Sequence, residues 1–80
     1  MSQPSQIAVV ILNYNGKKWL EKFLPSVIAN SKEAEIIVAD NGSHDDSILF
    51  LNKYYPSIRL IILDKNYGFT GGYNRALFQL

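Results

Sequence analysis

Ile7-Ala8-Val9-Val10-Ile11-Leu12 is the stretch that decides the fold. It is continuously apolar and rich in β-branched side chains, with no polar residue at every second position. Such a run suits a strand covered on both faces, as in a parallel sheet, and the expectation is that it lies at the sheet's centre. Two further runs match it. Glu35-Ile36-Ile37-Val38-Ala39-Asp40 and Ile58-Arg59-Leu60-Ile61-Ile62-Leu63 are short, apolar and bounded by turn residues.

Helical patterns fill the gaps between these runs. From Lys17 to Asn30, Trp19, Leu20, Phe23, Leu24, Val27 and Ile28 recur in pairs four apart and form one stripe, expected to pack on the sheet, Trp19 included. Pro25 falls inside that stripe, where it removes a backbone donor and predicts a bend or a restart. Ser43 and Asp46 have the spacing of a capping box, with the helix beginning near His44 and ending at Pro56-Ser57. Asp64 to Gly72 reads as a glycine-rich connection. Tyr73, Ala76, Leu77 and Leu80 then give a third stripe that is still running at the last residue, so the pattern is expected to continue past it. The order strand, helix, strand, helix, strand, helix predicts an α/β fold with a three-layer parallel sheet and right-handed crossovers. One truncated domain over 1–80 is expected, with 1–6 as a flexible N-terminus.

Composition narrows the function classes. Eight basic and seven acidic residues give a formal net charge of +1 in 80 residues, spread without runs, which offers no footprint for nucleic acid. No stretch approaches the ~20 apolar residues of a membrane span, and no signal peptide is evident. The absence of cysteine excludes disulfides and thiolate metal sites and is compatible with a cytoplasmic location. The lone histidine, His44, reads as a solvated turn residue and Lys17-Lys18 as a solvated helix start.

In a parallel sheet ligands bind outside the carboxyl ends of the strands. The residues at those ends are Asn13-Tyr14-Asn15-Gly16, Asp40-Asn41-Gly42-Ser43-His44-Asp45 and Asp64-Lys65-Asn66-Tyr67-Gly68-Phe69-Thr70-Gly71-Gly72. All three are polar and carry glycine. The third is neither G-x-G-x-x-G nor a P-loop, so it implies no dinucleotide or Walker site.

Three blocks at these ends, Val10 to Asn15, Val38 to Asp45 and Asn66 to Asn74, resemble the successive nucleotide-binding blocks of family 2 glycosyltransferases, in order and in spacing. The third is similar to the rhamnosyltransferase-like branch. The resemblance covers nearly the whole chain from Ile7 onward and implies the N-terminal half of a GT-A fold. Its implied function is sugar transfer from a UDP- or dTDP-sugar to an acceptor hydroxyl on a glycan or lipid-linked acceptor, in cell-surface polysaccharide synthesis. It places Asn13, Tyr14 and Asn15 at the nucleotide base, and Asp40, with Asn41, Ser43 and Asp45, around base and ribose. An ionised carboxylate is a pure acceptor, able to take a hydrogen bond from a pyrimidine N3–H or a ribose hydroxyl. Asn66, Gly68, Phe69, Gly71, Gly72 and Asn74 would then approach the diphosphate, with Lys65 and Arg75 adding charge; Ser43 and Asp45 also fit a purely capping role.

The family's divalent metal, Mg or Mn, is expected in the full-length parent only. No D-x-D triplet occurs among Glu21, Glu33, Glu35, Asp40, Asp45, Asp46 and Asp64, so no metal ligand or catalytic residue is assigned and the fragment alone is expected to be inactive. Membrane association is expected only through regions outside these residues. A non-catalytic nucleotide-binding or regulatory α/β module, flavodoxin-like or receiver-like, is the alternative. In a GT-A fold the first strand has neighbours on both sides; here one side is left open, and self-association through it is expected.

Overall fold

A computed structural model describes residues 7–80; the expected flexible stretch 1–6 lies outside the described residues. The elements are β1 (Ile7–Asn13), α1 (Lys17–Ala29), β2 (Ala34–Asp40), α2 (Ser47–Tyr54), β3 (Arg59–Ile62) and α3 (Gly68–Phe78). The strands form one parallel sheet in the order β1-β2-β3. Its register carries four side-chain rows across the sheet: Val10, Ile37 and Arg59; Ile11, Val38 and Leu60; Leu12, Ala39 and Ile61; and Asn13, Asp40 and Ile62.

Because side chains alternate along a strand, these rows feed two cores. Val38, with Ile11 and Leu60, packs against Leu20 and Leu24 of α1 and Leu51 of α2. On the opposite face Ile37, Ala39 and Ile61 meet Ala76 of α3, with Val10 and Leu12 beside them. Helices on both faces of a parallel sheet make the α/β three-layer arrangement the sequence predicted, consistent with the N-terminal half of a GT-A fold. Burying Leu20 and Leu24 completely stabilises the fold by about 2–3 kcal/mol each.

Several expectations change. The middle strand of the described sheet is β2, not β1: Ile36 to Asn41 are all buried, whereas most of β1 is only half-buried because β1 pairs on one side. Helix α1 runs through Pro25 without restarting. Glu21 and Pro25 are exposed, so water can satisfy the carbonyl that loses its partner. Trp19 and Phe23 are not core residues; they are 45% and 40% exposed, with ring centroids 5.3 Å apart. With each residue turning about 100°, Leu20 and Leu24 take the sheet-facing position and the two aromatics fall on the flank.

Helix α2 begins at Ser47 rather than near His44, and Asp46 at its N-cap makes no side-chain capping bond, so the Ser43–Asp46 box does not form. The third helix starts earlier than its apolar stripe. It opens at Gly68, so Gly68 to Gly72 are its first turns and not a connecting loop.

Candidate functional site

The carboxyl edge of the sheet is where the three polar segments meet, and hydrogen bonds join them in sequence. The first junction ties the β1–α1 turn to the β2–α2 loop. Asn13, which neighbours Asp40 in the register, donates from Nδ2 to Asp40 Oδ1 at 2.9 Å and to Ser43 Oγ at 3.3 Å. Ser43 donates its hydroxyl to Asp40 Oδ1 at 2.7 Å and its backbone N–H to Asp40 Oδ2 at 2.9 Å. Asn15 takes a left-handed backbone, φ 52°, which asparagine tolerates better than most residues. In that conformation its N–H donates to Ser43 Oγ at 2.8 Å, and its side-chain oxygen accepts from the backbone N–H of His44 at 2.7 Å and of Asp45 at 3.2 Å.

Asp45 closes the same junction. Its Oδ2 accepts from the Lys17 N–H at 3.1 Å, and Oδ1 accepts from the Ser47 N–H at 3.0 Å and from the Ser47 hydroxyl. One side chain therefore caps the first turns of both α1 and α2. Desolvation by its neighbours pushes the pKa of the exposed Asp45 carboxyl upward, but the bonds from Ser47 and from the Lys17 backbone, with the Lys17 charge, outweigh it and hold the group below the ordinary carboxylate value.

The second junction ties the β2–α2 loop to the start of α3. Asn41 donates from Nδ2 to Asn66 Oδ1 and to the Gly68 carbonyl, both at 3.0 Å, and its Oδ1 accepts from the Tyr67 N–H at 3.0 Å. Asn66 Oδ1 also accepts from the Gly68 N–H at 2.7 Å. Two glycines make the close approach possible. Gly42 sits at φ 77°, and a Cβ there would lie 2.5 Å from the Lys65 carbonyl carbon; a Cβ on Gly72 would lie 2.8 Å from Asn41 Nδ2 and 3.0 Å from Leu12 Cδ1.

The sequence-predicted residues thus separate by depth. Asn13, Asp40 and Asn41 are buried, with Asp40 completely covered, and their polar atoms are used in holding loops together. Tyr14 and Phe69 are exposed, the latter in an edge-on pair with Tyr73, whose hydroxyl donates to the Val10 carbonyl at 3.3 Å. Gly71 and Asn74 lie on another flank of α3, lining an open cleft of about 790 Å³ with Ile62, Asp64, Tyr67 and Arg75.

Tyr67 and Asp64 lie in the third polar segment, but no individual role follows for them from the sequence. The Tyr67 hydroxyl donates to Asp64, and the Arg75 guanidinium lies 3.8 Å from the Tyr67 ring centroid. That bond lowers the Asp64 pKa and raises that of Tyr67. The i, i+3 spacing of Asp64 and Tyr67 was the available signal; it was masked by reading the whole segment as a glycine loop. Ser47, fully buried beside Asp45, was likewise hidden by the misplaced helix start. Among the described residues no group of three His, Cys, Asp or Glu side chains is placed to hold a metal ion.

A doubly covered parallel sheet with its polar loops joined at one carboxyl edge defines the chain as an α/β domain, a class of fold in which ligands bind at that edge. The profile of the family described as "Glycosyl transferase family 2" matches residues 8–79, and the chain belongs to that family. It is 33% identical over 75 residues, 92% of this chain and 24% of the relative, to an N-acetylglucosaminyl-diphospho-decaprenol L-rhamnosyltransferase of Mycobacterium tuberculosis. It is also 36% identical over 74 residues, 88% of this chain and 19% of the relative, to an uncharacterised glycosyltransferase of Bacillus subtilis. An uncharacterised glycosyltransferase of a Nostoc species is 34% identical over 73 residues, 86% of this chain and 23% of the relative. The chain spans about a quarter or less of the length of these curated relatives. The rhamnosyltransferase-like character read from the third block agrees with the mycobacterial match.

Proposed function

We propose that the chain supplies the nucleotide-sugar-binding loops of a glycosyltransferase that moves a sugar from a UDP- or dTDP-sugar to an acceptor hydroxyl. Family membership supports the reaction class. The observation that carries the local reading is the pair of junctions centred on Asp40 and Asn41, which make three separate loops one surface at the sheet edge. Binding a ligand to loops already ordered avoids much of the entropic cost of ordering them on contact.

In this reading Tyr14 offers its exposed ring to the base, and Asp40 lies beneath base and ribose, holding the residues that face them. The N–H groups in the first turn of α3 face the diphosphate, with Lys65 and Arg75 adding positive charge. The similarity to the mycobacterial L-rhamnosyltransferase extends the proposal to a dTDP-linked deoxysugar donor and a lipid-linked diphosphate acceptor. The setting would be cytoplasmic assembly of a cell-surface polysaccharide, with membrane association through other regions. No helix among the described residues is long and apolar enough to cross a membrane.

A divalent metal, Mg or Mn, belongs to the whole enzyme. We assign its ligands to regions outside these residues, which contain no D-x-D triplet, and expect the 80 residues by themselves to be inactive. A radiolabelled transfer assay on this chain tests that statement: no turnover is expected with either donor nucleotide, and turnover would overturn it.

A further inference from the structure

We propose that Asn41 is a positioning residue: without touching the ligand, it sets the start of α3 against β2 and thereby the affinity of the edge for a nucleotide. The inference rests on the nucleotide-binding reading above and goes beyond it, because the resemblance assigns Asn41 to the ligand itself. Three observations carry it. Asn41 is 2% exposed, so no surface is left for a ligand. Both N–H groups of its amide are committed, to Asn66 Oδ1 and the Gly68 carbonyl, and its Oδ1 accepts from the Tyr67 N–H, all at 3.0 Å. Its surroundings are closed by Gly72, where a Cβ would come within 2.8 Å of that same nitrogen.

The chemistry of this clip is directional. Both partners of Nδ2 are acceptors, and Asn66 cannot turn its own amide to compensate, because its Oδ1 already accepts from the Gly68 N–H at 2.7 Å. Only a side chain with a donor on one arm and an acceptor on the other fits. Asparagine meets this condition at every accessible pH. Aspartate of the same shape meets it only when protonated, when its O–H supplies one donor; ionised, it sets a buried carboxylate against two carbonyl-type oxygens, so its titration is pushed above the ordinary carboxylate range. These bonds join the end of β2 to the first turn of α3, so the change falls on the placement of Tyr67 to Gly72.

The test is Asn41→Asp, titrated by calorimetry with UDP and with dTDP at pH 7.5 and at pH 5, beside the wild-type chain. Affinity is expected to fall at least about tenfold at pH 7.5, the equivalent of one net buried hydrogen bond, and to return toward the wild-type value at pH 5. Glu35 and Asp40 on β2, His44, Asp45 and Asp46 in the loop that follows it, Asp64, Lys65 and Tyr67 beyond β3, and Tyr73 and Arg75 on α3 are the ionisable groups of the elements round position 41. They are the same in both proteins, so the wild-type profile subtracts them. Asn41→Ser has no titrating group at this position; it is expected to lose affinity without recovering it at pH 5. Amide exchange on the same samples should show Tyr67 to Gly72 losing protection while Ile37 to Asp40 keep theirs.

Either variant binding as tightly as wild type at pH 7.5, recovery of Asn41→Ser at pH 5, or uniform loss of protection through β2 would overturn the proposal. Failure of the wild-type chain to bind either nucleotide would instead count against the proposed function, and the exchange pattern would still judge the role of Asn41 in placing α3.

Discussion

Asn13 and Asp40 are partners twice over: they are Cα neighbours in the β1–β2 register, and their side chains are joined by a buried hydrogen bond of 2.9 Å. The pair sits in the last row of the sheet, so the order of the strands passes directly into the order of the loops. Three donors, from Asn13 and twice from Ser43, converge on the two oxygens of Asp40.

That convergence predicts how substitutions behave at position 40. Asp40→Ala leaves buried donors without acceptors and is expected to cost about 3 kcal/mol. Asp40→Asn replaces one acceptor by a donor that faces other donors, so it should cost nearly as much despite its shape. Urea denaturation of the two variants checks this; a nearly neutral Asp40→Asn would show that the donors have other partners.

Capping is predicted to reside in Asp45 and not in Asp46. Asp45→Ala removes the acceptor for the first turns of both α1 and α2 and should cost about 1 kcal/mol, the usual worth of a cap, whereas Asp46→Ala should be close to neutral. The pH dependence has a definite sign. With its folded pKa held below the ordinary value, Asp45 contributes fully above the unfolded value of roughly 3.9 and loses its contribution as the pH falls through the folded one. The stability difference between wild type and Asp45→Asn should therefore be constant above about pH 5 and shrink under stronger acid, as thermal melts in a pH series would record.

Gly42 and Gly68 share a positive φ, 77° and 75°, but only Gly42 is enclosed; a Cβ at Gly68 meets nothing within 4 Å. Gly68→Ala should cost roughly 1 kcal/mol of backbone strain. Gly42→Ala adds a clash with the backbone of Lys65 and should cost clearly more. Equal effects, measured by denaturation, would mean that the β2–α2 and β3–α3 segments are not in contact.

Among the described residues β1 pairs with β2 alone, and from Ala8 to Asn13 it carries no charge and no proline, so its other edge lacks the usual protection against strand pairing. The isolated chain is accordingly expected to self-associate as its concentration rises, and Ala8→Lys, at an exposed position on that edge, should weaken the association. Light scattering decides; a stable monomer at high concentration contradicts the expectation.

The fold was legible because its strands are apolar runs with turn residues at their ends, a pattern set by burial on both faces. The site was legible as a place, since parallel strands bring their carboxyl ends together. Roles within it were not. Asp40 and Asn41 have the chemistry of ligand-binding residues, and only the three-dimensional register shows them bonded to Asn13, Ser43, Asn66, Tyr67 and Gly68. The start of α3 was hidden because Gly68, Gly71 and Gly72 have poor helix propensity, and the bonds from Asn41 and Asn66 to Gly68 at its first turn join residues far apart or outside the helical pattern. Trp19 and Phe23 were misplaced because their stripe is wider than the arc of α1 that meets the sheet.

The central claim, that the three loops form one nucleotide-binding surface, is tested most directly by titrating the isotopically labelled chain with UDP, dTDP and FMN, with and without manganese, while following backbone amides. The account predicts saturable binding of UDP or dTDP with shifts in all three segments at once, 13–16, 40–45 and 66–72. Tighter binding of FMN, or shifts confined to residues away from these segments, would contradict it.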